Sequence, residues 1–250
     1  MTRLLRAEAL RLRTARSYWL LAAGAFALIV GWVAPTAAAT SLTPGTSPAR
    51  ATLAIAGLAQ TVALIAGVLS VTGEFRHKTI TSAALITPRR TPLLAAKLVT
   101  LAAAGLVFGL AVTGTATAIA LPLLAARHIL TGISGTQAAA IIAGGGIATA
   151  LFAAIGVGFG AIIRNQTGAI IAALAVLYVA EPLLGYIPHL GTAVQQYGLG
   201  GLAAATTHTT GFPASAHLLG QPAAALVLAG YATIALLTGA ALLKRRDITT

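Results

Sequence analysis

The sequence predicts an all-α polytopic membrane protein with six transmembrane helices, and three observations carry this prediction. Hydrophobic residues make up 58% of the 250 residues, whereas only 8% are charged. A soluble domain keeps about a quarter of its residues charged, so this chain has too few ionised side chains to cover a globular surface, and lipid must cover it instead. The apolar residues form six long blocks, and the charges lie mainly at the ends of these blocks.

Each apolar block is long enough to cross a bilayer, which takes about 20 residues of helix. In a single transmembrane domain, 1–250, the predicted spans are residues 18–38, 51–72, 93–124, 137–163, 167–186 and 222–243. Tyr18 and Trp19 stand where aromatic side chains anchor a helix at the membrane interface. The run Ala-Pro-Thr-Ala-Ala-Ala at 34–39 resembles a signal-peptide cleavage site, but the basic start and the apolar run are both long, so we expect the first span to be retained.

The lysines and arginines predict the orientation of the chain. Six spans place both termini on one side, and only Arg50 and Arg127 of the 16 Lys and Arg residues would then lie on the other side, which leaves 14 with the termini. Cytoplasmic loops are enriched in Lys and Arg, so we expect both termini in the cytoplasm. The formal net charge of +12 therefore reflects orientation in a membrane, and no nucleic-acid partner is expected.

Residues 1–16 predict an amphipathic cytoplasmic helix, because no proline or glycine interrupts them. At about 100° per residue, Arg3, Arg6 and Arg13 share one face, with Leu5 and Leu12 roughly opposite. Such a helix can lie on the anionic inner leaflet. A plain positively charged flank of the first span explains the same residues, and both interpretations stay open.

The outer loop 188–221 and the acid that precedes it are unusual. The loop is rich in glycine, and its apolar stretch 199–205 is too short to span, so it predicts either a re-entrant element or an ordinary loop. Glu181 is the one acid inside the apolar blocks, which makes it a candidate for transport or for an outer gate. Pro182 and Tyr186 indicate that it lies toward the outer end of the fifth span, where water can reach it, and an interfacial, solvated or hydrogen-bonded carboxylate is the more conservative interpretation.

The residues that catalysis or metal binding would need do not converge in the sequence. The five histidines form no i,i+4 pair of the kind that a helical metal site uses, and the chain has no cysteine. No Gly-x-x-x-x-Gly-Lys-Ser/Thr phosphate loop surrounds Lys78, Lys97 or Lys244, so ATP hydrolysis is not expected from this chain. We therefore predict a protein that is not an enzyme and that has no cofactor or metal of its own.

The cytoplasmic loop 73–92 is the most highly charged stretch between two spans. Each ionised side chain at the bilayer centre costs about 2.5–3.5 kcal/mol, so we expect the charges of 73–97, which include those of this loop and Lys97 just past it, to lie in water. Residues 79–86 contain no proline or glycine and can form about two helical turns before Pro88 ends them. A short helix with basic flanks suits docking onto a partner, although a simple positively charged connector is the alternative.

The loop and its flanks resemble the first cytoplasmic loop of permease subunits of ATP-binding-cassette (ABC) exporters of the second type. Those proteins typically show Gly-Glu-aromatic-Arg, then one variable residue, a basic residue or glycine, Thr and an apolar residue, followed by Pro-Arg-Arg and a lysine at the start of span three. This sequence has Gly73-Glu74-Phe75-Arg76-His77-Lys78-Thr79-Ile80, then Pro88-Arg89-Arg90 and Lys97. The basic start, the six spans, the Glu-Pro pair at 181–182 and the long outer loop extend the resemblance over the whole chain.

The resemblance implies the membrane half of an exporter in a bacterial plasma membrane, powered by a separate ATPase subunit that binds ATP and Mg²⁺. Residues 2–16 would be the elbow helix, 79–86 the coupling helix seated in the ATPase, and short re-entrant helices would lie between spans five and six. The residues that couple to the ATPase would be Glu74, Phe75, Arg76, His77, Lys78, Thr79, Ile80, Pro88, Arg89 and Arg90. Spans two and five would line a path in a homodimer, or in a heterodimer with a second permease.

Three other functions compete with this one. An ion-gradient-driven secondary transporter or channel predicts intramembrane acids or broken spans in matched halves, and only Glu181 meets that expectation. The residue inventory argues against an integral-membrane enzyme, and a non-transporting anchor or regulator would bind no ATPase. The predicted interior of Ala, Gly, Leu and Thr favours hydrophobic or amphipathic cargo, such as drugs, lipids or peptides.

Overall fold

A computed structural model of the protein describes residues 2–39, 47–76, 90–129, 131–163, 165–209 and 218–245. These residues are helical apart from short connections, and no strand occurs among them. Six of the described helices are long and apolar enough to cross a membrane, which confirms the predicted fold class at this level and is consistent with a multi-pass membrane protein. In chain order they are span 1 (Tyr18–Ala39), span 2 (Pro48–Glu74), span 3 (Leu94–Ala126), span 4 (Gly135–Ile162), span 5 (Gln166–Gly185) and span 6 (Gln221–Leu242).

Several helices extend beyond the membrane-spanning segments, and two of the spans are not regular α-helices throughout. An N-terminal helix, Thr2–Thr14, precedes span 1, whose helix is Arg16–Ala39; spans 3 and 6 belong to the helices Arg90–Ala126 and Gln221–Arg245. Two spans change geometry along their length. Span 2 consists of Pro48–Leu53, the 3₁₀ turn Ala54–Gly57 and Leu58–Arg76, and span 5 consists of Gln166–Ala175, the π turn Val176–Ala180 and Glu181–Gly185.

Polar side chains cap the starts of spans 4 and 5. The Ser134 hydroxyl accepts the Gln137 N–H at 3.2 Å, and the Gln137 side chain accepts the Ser134 N–H at 3.0 Å, which is a capping box. Asn165 accepts the Gly168 N–H at 3.1 Å in the same role. The first N–H groups of a helix have no partner within it, so these residues define where both helices begin.

Span 4 is the central helix of the bundle, and it packs against spans 2, 3 and 6. In its most apolar stretch 67% of the residues are buried, compared with 11% in span 5. Glycines make this packing close: a Cβ at Gly156 would overlap the Leu64 carbonyl oxygen of span 2, and one at Gly160 would lie 2.8 Å from the Val68 carbonyl oxygen. Gly156 and Gly160 therefore allow two backbones to approach, which is what small residues four positions apart permit in membrane helices.

Two short helices, which we call the first and second connecting helices, occupy much of the segment between spans 5 and 6. They are Leu190–Tyr197 and Leu199–Thr207, and residues 210–217 lie outside the described part of the chain. The second connecting helix is largely buried against spans 4 and 6. The Gln221 amide joins these elements, because its Nε2 donates to the carbonyls of Ala140 and Thr206, each at 2.9 Å. The second connecting helix is therefore an integral part of the bundle.

Candidate functional site

Four charged side chains meet where the N-terminal helix packs against the beginning of the span 3 helix and the end of span 2. Lys97 Nζ lies 2.8 Å from Glu74 Oε1 and 3.1 Å from each carboxylate oxygen of Glu8. Arg11 Nη1 donates a hydrogen bond to Glu74 Oε1 and lies 4.0 Å from Glu8 Oε1. We call Glu8, Arg11, Glu74 and Lys97 the four-charge cluster. It joins three elements that are far apart in the sequence.

The four-charge cluster is electrically balanced and mostly buried. Glu74 is 4% exposed and Lys97 is 3% exposed, so neither charge is solvated by bulk water. Burial of a single charge is costly, and the opposite charges of the cluster offset that cost. Burial lowers the pKa of Arg11, but its hydrogen bond to Glu74 and the charges of Glu74 and Glu8 raise that pKa by more. The guanidinium therefore stays charged and holds the N-terminal helix on the bundle.

The N-terminal helix presents two different faces. Leu12 packs into an apolar cluster with Val71 and Leu101, next to the ion pairs of Arg11, while Arg6 and Arg13 are exposed. The expected opposition of arginine and leucine is thus present at these positions. Glu8 and Arg11 also belong to the inner face, which was not predicted. Their i,i+3 spacing was a signal, but the partners lie 63 and 89 residues away.

The predicted coupling residues fall into three groups. Glu74 is buried and engaged by Arg11 and Lys97, so at Glu74 and Lys97 the structure differs from the expectation that the charges of 73–97 lie in water. The physical reason is that these two side chains neutralise each other inside the protein. Phe75, Arg76 and Arg90 lie at helix ends, and the structure does not describe their side chains. His77, Lys78, Thr79, Ile80, Pro88 and Arg89, with the predicted coupling helix 79–86, lie outside the described residues.

Glu181 caps the second connecting helix. Its two carboxylate oxygens accept the N–H groups of Leu199 at 2.6 Å and of Gly200 at 2.9 Å. These N–H groups open a helix and have no partner within it, and the positive end of the helix dipole favours a carboxylate there. Of the conservative alternatives, the structure shows the hydrogen-bonded one, while a role in transport or in an outer gate stays a prediction.

The π turn Val176–Ala180 directly precedes Glu181. Pro182 explains it, because proline lacks an N–H group and its ring crowds the carbonyl one turn earlier, at Tyr178, so that a regular α-helical turn cannot continue through this point. The wider turn carries the chain past the proline and on to the carboxylate that holds the second connecting helix.

No cluster of three or more His, Asp and Glu side chains that could hold a metal occurs in the described part of the chain. Comparison with protein-family models finds no match to this sequence, and comparison with curated proteins finds none either. The resemblance to ABC exporter permeases therefore rests on the residues of 73–97 and on the order of the spans.

Proposed function

We propose that this protein is the permease subunit of an ABC exporter, and that a separate ATPase subunit binds its loop 73–92 from the cytoplasm. The observation that best supports this proposal is the four-charge cluster at the two ends of that loop. Glu74 lies at the start of the loop and Lys97 five residues after its end; their charged atoms are 2.8 Å apart, and Glu8 and Arg11 tie both residues to the N-terminal helix.

This arrangement suits the transmission of force from a partner. Separating one member of a buried ion pair from its partners costs about 3–5 kcal/mol, so the ends of spans 2 and 3 resist moving apart. A subunit that displaced the loop would therefore move both spans and the N-terminal helix together. In this proposal Glu74 positions the loop, and the basic residues Lys78, Arg89 and Arg90 meet the ATPase.

The remaining elements have roles in the same proposal. The N-terminal helix, with Arg6 and Arg13 exposed, is the elbow helix on the anionic inner leaflet. The two connecting helices are the re-entrant element between spans 5 and 6. Spans 2 and 5, joined by the hydroxyls of Thr61 and Tyr178 at 2.6 Å, line the path in a dimer of permease chains.

The test is reconstitution in liposomes with an ATPase encoded beside this chain. We expect the ATPase to bind the permease and its hydrolysis rate to change on binding. The double variant Arg89→Ala, Arg90→Ala should weaken binding about tenfold, because it removes two cations from the docking loop. Arg50→Ala, which removes the same kind of charge from the opposite end of span 2, should bind like the unmodified chain.

Two results would contradict the proposal. One is transport driven by an ion gradient in the absence of any ATPase, which is the expected behaviour of a secondary transporter or channel. The other is a complex whose affinity and hydrolysis rate do not change when Arg89 and Arg90 are replaced.

A further inference from the structure

A cavity of about 410 Å³, broadly open on one side, lies between span 2, span 4, span 5 and the second connecting helix. Ile55, Phe152, Leu177 and Ala203 supply apolar walls, and none of the lining residues among those that the structure describes is charged. Small-molecule sites in proteins are mostly apolar clefts of about 300–1,000 Å³ with a few polar groups. The volume and the walls therefore fit a small, mainly apolar ligand.

Among the described residues, Gln60 is the polar residue of the cavity lining for which no protein partner is found. Its side chain is only 5% exposed and lines the cavity. The other polar residues that line it pair with each other: Thr61 with Tyr178, and Thr207 with Thr209, each pair at 2.6 Å. The Gln60 amide makes no such bond to a described residue. No side-chain nitrogen or oxygen in the described ranges is both fully enclosed and unpaired, so the Gln60 amide keeps some accessible surface, and the cavity is the space that Gln60 lines.

We propose that the cavity binds an uncharged amphipathic molecule, whose hydroxyl, carbonyl or amide group pairs with Gln60 while its apolar body lies against Phe152 and Leu177. An amide both donates and accepts, so it can pair with any of these groups. A charged ligand is disfavoured, because no counter-charge lines the walls and the ligand would lose its hydration without compensation. The assignment deepens the proposed function, because this molecule would be the exported substrate. Its export rests on the proposed function, whereas its binding in the cavity does not.

The test uses photolabelling of the purified chain in lipid nanodiscs, without any ATPase. The probes are a diazirine-bearing octanol and the matching diazirine-bearing octane, and mass spectrometry locates the labelled peptides. We expect the octanol to label the peptides around Gln60, Tyr178 and Ala203. Gln60→Leu should lower this labelling at least fivefold for octanol and leave octane labelling unchanged, whereas Ala204→Leu, which fills the cavity, should lower both.

Thermal unfolding of Gln60→Leu serves as the control for folding. An unpaired amide contributes nothing to stability, so this variant should unfold at or above the temperature of the unmodified chain. Octanol labelling that Gln60→Leu does not change, or that is spread evenly over all lipid-facing helices, would overturn the assignment. The labelling experiment contains no ATPase, so a negative result contradicts the ligand site alone. A failure of ATP-driven transport would contradict the exporter proposal, and either result can occur without the other.

Discussion

Lys97 is the residue on which the ion pairs of the four-charge cluster depend, because its ammonium lies within 3.1 Å of both carboxylates. Lys97→Met would leave Glu8 and Glu74 with Arg11 as their only cation in the cluster. A buried charge without its partner is strongly destabilising, so we expect the free energy of unfolding to fall by about 3–5 kcal/mol. Equilibrium unfolding in detergent, followed by the fluorescence of Trp19 and Trp32, measures this loss.

A double variant distinguishes the contribution of the ion pairs to stability from that of side-chain packing. Glu74→Gln combined with Lys97→Met removes one charge of each sign and leaves Glu8 beside Arg11, 4.0 Å apart. We expect the double variant to recover most of the lost stability, since balanced replacement of buried ion pairs costs little. Arg13→Ala, at an exposed position of the same helix, should be neutral. A double variant as unstable as Lys97→Met would argue against the electrostatic explanation.

Two substitutions of Glu181 test how far its carboxylate stabilises the second connecting helix. Glu181→Ala leaves the Leu199 and Gly200 N–H groups without their acceptor, and loss of such a cap costs about 0.5–2 kcal/mol. Hydrogen exchange of residues 199–207 should accelerate in Glu181→Ala and change less in Glu181→Gln, which keeps one side-chain carbonyl. If Glu181→Gln leaves exchange unchanged but abolishes transport, the carboxylate charge serves transport or the outer gate, beyond its structural role.

At the scale of elements, the packing of span 4 depends on its glycines. A Cβ at Gly156 would overlap the Leu64 carbonyl oxygen, and a backbone atom cannot move aside as a side chain can. Gly156→Ala should therefore separate spans 2 and 4 and cost at least about 1–3 kcal/mol, the usual range for overpacking. Gly24→Ala in span 1 is the matched control, because nothing lies within 4 Å of the added carbon. Thermal unfolding temperatures compare the two, and equal temperatures would contradict this account of the packing.

The existence of the spans could be predicted from the sequence, but for most spans the helices that they pack against could not. A helix in lipid satisfies its own backbone, so apolar length alone identifies it. Lipid is as apolar as a leucine side chain, so a span shows no hydrophobic stripe that indicates which face meets another helix. Gly156 and Gly160 are exceptions, because small residues at this spacing are informative in themselves.

The candidate sites were predictable only in part, for a related reason. Glu181 could be singled out because it is the one acid inside the apolar blocks, but whether its carboxylate is solvated or hydrogen-bonded could not be predicted. Its acceptor role for Leu199 and Gly200 could not be foreseen, since it requires the fold of the connecting helices. The same holds for Glu8 and Arg11, whose partners lie in other helices, and for Gln60, whose lack of a partner among the described residues is visible only in three dimensions.

At the scale of the whole molecule, the proposed function requires one orientation in the membrane. The ATPase is cytoplasmic, so the loop 73–92 must be cytoplasmic as well, and the excess of Lys and Arg on that side predicts the same. The chain contains no cysteine, so single-cysteine variants carry one thiol each and need no altered background. Ser47→Cys and Lys78→Cys place that thiol just before span 2 and in the loop after it.

In intact cells, a membrane-impermeant maleimide should label Ser47→Cys and leave Lys78→Cys unlabelled. Permeabilised cells should show labelling of Lys78→Cys, which proves that its thiol is reactive and that the first result reflects the membrane barrier. Labelling of Lys78→Cys in intact cells would put the loop outside, where no ATPase could reach it, and the permease proposal would fail. The cavity beside Gln60 would survive that result, because its ligand is defined by the apolar walls and by one unpaired amide, and neither depends on which side of the membrane is the cytoplasm.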